Sequence, residues 1–194
     1  MAPSRDFLIS ELSRRLSARR VAHSLAVARW AAALARIHGA DPARAERAGL
    51  FHDAAKEWPA RRLVKYVRRH GVAVPGLKEI LAGGNANLLH GYVAAHWVNR
   101  RGLIRDRPTR TAMARHTLGH ARMGLLDAIL YVADFSSPDR RYPEAGRVRR
   151  LARRDLNGAL RAVVSYKIQD VLQRSAALHP TTVALWNALC KTRP

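Results

Sequence analysis

The chain has 194 residues, enough for one domain with a sizeable core, and nearly half of them are apolar. Its 35 basic and 14 acidic residues leave a net charge of +21, which suits a polyanionic partner but also fits a surface of soluble, helix-favouring arginines. The single cysteine, Cys190, excludes an intramolecular disulfide or a cysteine zinc site, and no apolar run approaches the roughly 18 residues of a membrane span.

Alanine is abundant, aromatics are few, and β-branched or alternating runs are scarce, so the expected fold is all-α. Residues 4–17 read as a short helix with Ser4 as N-cap and an apolar stripe of Phe7, Leu8, Leu12 and Leu16. A second helix runs from Ser17 to His38 and stops at Gly39, with His23 one position from its apolar face. Asp41-Pro42 opens a third, which carries Leu50-Phe51-His52-Asp53-Ala54-Ala55-Lys56 and ends before Trp58-Pro59. The segment 61–70 is a basic amphipathic helix closed by Gly71.

Pro75-Gly76 and Gly83-Gly84-Asn85 mark loops around a short element. Leu88-Leu89-His90-Gly91 opens a helix to about Asn99, and Thr109 is expected to cap one that carries Met113 and His116 and ends at Gly119. Gly124 to Asp134 is strongly apolar and should be a central helix, broken directly after Asp134. A long helix over 155–173 and a final one from Pro180 through Trp186 complete the chain, with 147–154 read as a basic cluster. No linker or repeat divides it, so a single domain over 1–194 is expected, its core about 18–190. With no apolar leader-like stretch, the expected setting is the cytoplasm.

His23, His52, Asp53, His90, His116 and Asp134 stand out, each in or at the end of an apolar helical segment. Carboxylates are rarely buried without compensation, and a bound cation is one such compensation. Imidazoles with carboxylates form a donor set suited to Mn, Fe, Zn or Mg, and ligands on separate helices can meet only if those helices pack around one point. The remaining histidines, His38, His70, His96, His120 and His179, read as ordinary.

The order H…HD…D resembles the signature of HD-domain metal-dependent phosphohydrolases. More closely, the chain resembles the YqeK family, hydrolases that split diadenosine tetraphosphate symmetrically into two ADP. The similar stretches are His23-Ser24-Leu25-Ala26-Val27-Ala28, Ala48-Gly49-Leu50-Phe51-His52-Asp53-Ala54-Ala55-Lys56 and Leu89-His90-Gly91. Arg115-His116-Thr117-Leu118-Gly119, the run from Leu126 to Asp134 and His179-Pro180-Thr181-Thr182 follow in the family's order. There are departures: Ser137 stands where the family has a glutamate, Ala128 replaces a lysine, and Leu118 replaces a threonine.

The resemblance implies an HD/PDEase-like helical bundle with a buried metal site. His23, His52, Asp53 and Asp134 would hold one divalent transition-metal ion, and Asp53 would bridge to a second held by His90 and His116. Iron is the first choice, with Mn, Co, Zn or Mg as alternatives. Cleavage would proceed by attack of a metal-bound hydroxide on an inner phosphorus of a dinucleoside polyphosphate, the small-molecule partner. Asp53, Lys56, His90 and Arg140 are then the catalytic candidates. His23, Lys56, His90, His116, Thr117, Asp134, Arg140 and Thr182 are the candidates to meet substrate, and Arg115 is a further phosphate-neutralising candidate. Thr117 and Thr182 read equally well as helix caps.

Two alternatives remain: an HD-fold hydrolase of another nucleotide, or a basic nucleic-acid-binding protein with a structural metal site. The second rests on the charge and on Arg61-Arg62, Arg68-Arg69 and the 147–154 cluster, against which stands the lack of a nucleic-acid motif or interleaved aromatics. No membrane partner is expected, and a homodimer is left open.

Overall fold

A computed structural model describes residues 3–191, which contain helices and no strand. Ser4 caps α1 (Arg5–Ser13) and Ser17 caps α2 (Ala18–His38), each hydroxyl accepting from the backbone N–H three residues on. Residues 14–16 form a turn rather than a last helical turn, because Ser17 is needed as the next cap. α2 ends at Gly39, whose φ of 74° is left-handed. Asp41 caps α3 (Pro42–Phe51) through the N–H groups of Ala43 and Arg44. α2 and α3 pack tightly because Gly49 lets the backbones touch: a Cβ there would lie 2.6 Å from the Ala28 Cα.

α4 (Ala60–His70) turns Leu63 and Val67 inward and leaves its basic residues in solvent. The short α5 (Leu77–Ala82) and a 3₁₀ turn over Ala86–Leu89 lead into α6 (His90–Arg100) and α7 (Arg107–Arg115). α7 is capped by Asp106 and not by Thr109, and the expected start moves three residues earlier. Asp106 accepts from the Thr109 N–H, and Pro108 fits the first turn, where no donor is lost.

α8 (Leu125–Ser136) is the central helix: its residues from Asp127 to Ala133 are buried, and it packs on α2, α3 and α7. It continues past Asp134 because Ser136 is fully buried, donating to the Val132 carbonyl and accepting from Trp30 Nε1. The break comes at Ser137, extended ahead of Pro138. Part of the basic cluster at 147–154 belongs to a further helix, α9 (Pro143–Ala152), with Ala145, Val148 and Ala152 inward. α10 (Leu156–Gln173) is capped by Asp155, and α11 (Pro180–Lys191) runs past Trp186 and carries the exposed Cys190. No described helix is long and apolar enough to cross a membrane.

Candidate metal centre

Five places in the bundle deliver side chains to one point. His23 comes from the second turn of α2, His90 from the first residue of α6, and Asp134 from α8. His116 is the C-cap of α7. His52 and Asp53 do not lie inside a helix as expected, because α3 stops at Phe51. Beyond it the chain winds in tight turns, with Ala54 N–H on the Phe51 carbonyl and Lys56 N–H on that of Asp53. The Gly49 carbonyl, near the helix end, accepts from the His52 ring at 2.7 Å. Those turns aim both side chains inward.

Distances between the side chains are short. Asp53 Oδ1 lies 3.1 Å from His90 Nε2 and 3.7 Å from His116 Nε2, while Oδ2 lies 3.6 Å from His52 Nε2. The carboxylate thus divides its two oxygens between two groups of imidazoles. Asp134 Oδ1 lies 3.2 Å from His23 Nε2 and 3.7 Å from His52 Nε2. Three overlapping groups, His23-His52-Asp53, His52-His116-Asp134 and Asp53-His90-His116, each bring their donor atoms within 4.8 Å of one another. All six are buried except Asp134, whose side chain is 16% exposed.

The imidazoles share one orientation. Nδ1 of His52, His90 and His116 contacts the carbonyls of Gly49, Asn87 and Met113, and Nδ1 of His23 lies 2.8 Å from Asp139 Oδ2. A carbonyl only accepts, so Nδ1 carries the proton and Nε2 of a neutral ring presents a lone pair to the cluster. That leaves His90 Nε2 and His116 Nε2 facing each other at 3.0 Å, and His52 Nε2 buried with no hydrogen-bond partner. Opposed lone pairs and an orphaned buried nitrogen need a cation among them, and backbone-anchored imidazoles with carboxylates are the donor set of a divalent metal. The residues present fit such an ion.

The electrostatics agree with the geometry. Burial works to raise the Asp53 carboxyl, but His52, His116 and His90 outweigh it and hold it well below the usual carboxylate range. Asp134 is likewise depressed against burial by His23, His52 and Arg140. Burial pushes the His116 imidazole down to about 4. His52 is raised, because the Asp53 and Asp134 carboxylates overcome its burial. Two guanidiniums complete the balance: Arg20 at 2.8 Å from Asp53 Oδ2, and Arg140 at 2.7 Å from Asp134 Oδ1.

A cleft of about 350 Å³ opens beside the cluster, reaching His116 and Asp134. Lys56, Thr117 and Thr182 line it. Thr117 Oγ1 lies 3.1 Å from His116 Nε2, and Thr182 donates to the Leu118 carbonyl. Arg115 is drawn elsewhere, its guanidinium 2.6 Å from Asp127, which in turn accepts from the Gly124 N–H at the start of α8.

Sequence reasoning missed Arg20, Asp139 and Lys167. Half-buried Lys167 lies in the cleft wall with Nζ 3.7 Å above the Tyr131 ring, donating to the His116 carbonyl. Burial, with Lys56 and Arg140 adding repulsion, lowers it to about 8. Its signal was present, since Leu160, Val163, Val164 and Lys167 share one helical stripe on which a lysine is out of place. Arg20 sits one turn before His23 on the same face. Asp139 gave no such sign: Ser137, the departure from the family pattern, donates to its other oxygen at 2.6 Å and so steadies the carboxylate that orients His23.

Comparisons with known proteins point the same way. The HD domain family matches residues 20–139. A symmetrical bis(5'-nucleosyl)-tetraphosphatase of Halalkalibacterium halodurans is 33% identical over 90% of both chains. That of Bacillus subtilis is 31% identical over 96% of this chain and 97% of its own. A crystal structure from Clostridium acetobutylicum, described as a predicted HD superfamily hydrolase involved in NAD metabolism, superposes with a TM-score of 0.92 at 31% identity over the whole of both chains.

Proposed function

The chain belongs to the HD domain family and is a hydrolase, and on that premise we propose that it cleaves diadenosine tetraphosphate and related dinucleoside polyphosphates symmetrically to two nucleoside diphosphates. The observation that carries this reading is the set of inward-facing Nε2 atoms around the divided carboxylate of Asp53.

In this proposal His23, His52, Asp53 and Asp134 hold one divalent metal ion, while Asp53, His90 and His116 hold a second. Such ions supply a water nucleophile that is acidic at neutral pH and neutralise charge on the phosphoryl oxygens. Iron is our first choice of metal.

The protein's own groups do the rest. Carbonyls at Nδ1 of three imidazoles, and Asp139 at that of His23, fix the rings so that Nε2 stays deprotonated and aimed inward. Arg140, anchored on Asp134, and Lys56 in the cleft wall counter the charge of the phosphates beside the cluster. Thr117, next to His90 and His116, is placed to donate to a phosphoryl oxygen, and Lys167 stands behind it as a further cation. The segment ending in Thr182 takes one nucleoside. Water oxygen bonds to one inner phosphorus and the bond from that phosphorus to the central bridging oxygen breaks, so each half leaves as ADP.

The test is chromatography of the products formed by the metal-loaded protein from diadenosine tetraphosphate, with NAD and a guanosine polyphosphate assayed in parallel. ADP as the sole nucleotide product supports the reading. Inertness toward diadenosine tetraphosphate beside turnover of another nucleotide would replace it with the other-nucleotide alternative.

A further inference from the structure

A second basin opens on the metal cluster. It has a volume of about 580 Å³, and His23 and Arg140 form its inner wall. Arg19, Arg20, Arg141 and Tyr142 line it as well, so four guanidiniums converge on one hollow. Among the described residues its one lining carboxylate, Asp139, is engaged by His23 Nδ1 and Ser137 Oγ. Arg20 and Arg140 are tied to Asp53 and Asp134. Among the described residues neither Arg19 nor Arg141 makes an ion pair, and both are exposed. The Tyr142 ring is held in place, its hydroxyl donating to the Phe135 carbonyl and its edge meeting the Phe135 ring at 5.1 Å between centroids. Such a fixed, partly exposed ring is a platform on which a base can stack.

The cleft lined by Lys56, Lys167 and Thr182 reaches the cluster at His116 and Asp134, whereas this basin reaches it at His23. The contact of Arg140 with Asp134 is the seam between the two openings. A mononucleotide requires only one of them. A dinucleoside polyphosphate has two like ends, and with its central phosphates at the cluster both ends must find a place.

We propose that the basin of Arg19, Arg20, Arg140, Arg141 and Tyr142 binds the second nucleoside diphosphate half of the substrate, opposite the half held in the Lys56 cleft. This rests on the cleavage proposed above and adds to it a structural basis for choosing dinucleotides over mononucleotides. Holding both ends also fixes the central phosphates over the cluster, which sets symmetrical cleavage. The size is adequate, since small-molecule pockets run from about 300 to 1,000 Å³.

The experiment counts bound ADP by equilibrium dialysis for the wild type and for Arg19→Ala/Arg141→Ala, two exposed positions whose truncation leaves the core intact. Wild type should bind two ADP per chain and the double variant one, with kcat/KM for diadenosine tetraphosphate lowered at least about tenfold, since charge-assisted contacts to phosphate are among the stronger polar ones. Tyr142→Ala should weaken the second ADP without changing bound metal. One ADP per wild-type chain, or two per double-variant chain with unchanged kcat/KM, overturns the second site. Failure of the wild type to hydrolyse the dinucleotide counts against the proposed reaction, whereas the change from two bound ADP to one judges the basin independently.

Discussion

Asp53 spans the two groups of imidazoles, with one oxygen toward His90 and His116 and the other toward His52 and Arg20. Asp53→Ala should therefore lose bound metal and lower turnover by at least about 10³-fold while the chain stays helical. Metal analysis and circular dichroism on one preparation check this, and wild-type turnover by metal-depleted variant protein would refute it. Lys167 predicts a different pattern. Lys167→Met should keep the metal, since among the described residues Nζ contacts the carbonyl of His116 and the Tyr131 ring and no ligand side chain, but should raise KM roughly tenfold through loss of the cation proposed to face phosphate. Its melting temperature should not fall, because a half-buried ammonium is costly to desolvate. Acid sensitivity follows from the carboxylates. Asp134 has a folded-state pKa depressed below its unfolded value of about 4, so its contribution to stability is complete above that pH and is lost as pH falls toward the folded value. In the metal-free protein, the melting-temperature gap between wild type and Asp134→Asn should be widest near neutrality and close below about pH 4. A gap that widens on acidification would contradict this sign.

The packing of α2 on α3 positions half of the cluster, because His23 and the His52-Asp53 turn meet across that contact. Gly49→Ala would drive a Cβ to 2.6 Å from the Ala28 Cα, backbone against backbone, where no flexible side chain can yield. A cost of about 1–3 kcal/mol is expected, with weaker metal binding because His52 takes its orientation from the Gly49 carbonyl. Gly124→Ala, where an added Cβ meets Asp127 Oδ2 at 3.9 Å, is the control without a backbone clash and should leave metal binding unchanged, at only the smaller cost of an alanine at the α8 N-cap. The elements were legible where local chemistry agrees with tertiary need, as at Ser17, Asp41-Pro42 and Gly39 around α2 and α3, or in the all-round apolar α8. They were not where one signal masks another. Arginines hid the inward Ala145-Val148-Ala152 stripe of α9, and alanines around His52-Asp53 continued a helical pattern that the chain abandons at Phe51. The apolar setting of His23, His52, Asp53, His90, His116 and Asp134 singled them out as candidate ligands in the sequence, but their division between two ions came only through family resemblance, since spacing along separate helices contains no distances. Asp139 became visible only in the packed bundle, whereas Lys167 was marked in the sequence by its place on the apolar stripe of Leu160, Val163 and Val164.

At the scale of the molecule, a charge of +21 should draw the proposed polyphosphate substrate toward the two basic openings. The Debye length falls from about 10 Å at 0.1 M salt to about 3 Å at 1 M, so kcat/KM should drop steeply over that range while kcat changes little. Stopped-flow or initial-rate kinetics across the salt series check this, and equal falls in both would remove steering from the account. The nucleic-acid alternative predicts tight duplex or RNA binding by metal-free protein at near-physiological salt. The arrangement of arginines favours small anions instead, since four converge on one hollow beside the cluster rather than tracking a strand. The most direct test is to load the protein with metal, supply diadenosine tetraphosphate and separate the products. ADP alone is expected, in two equivalents per substrate consumed. Formation of ATP with AMP, or no cleavage by fully metal-loaded protein, would contradict it.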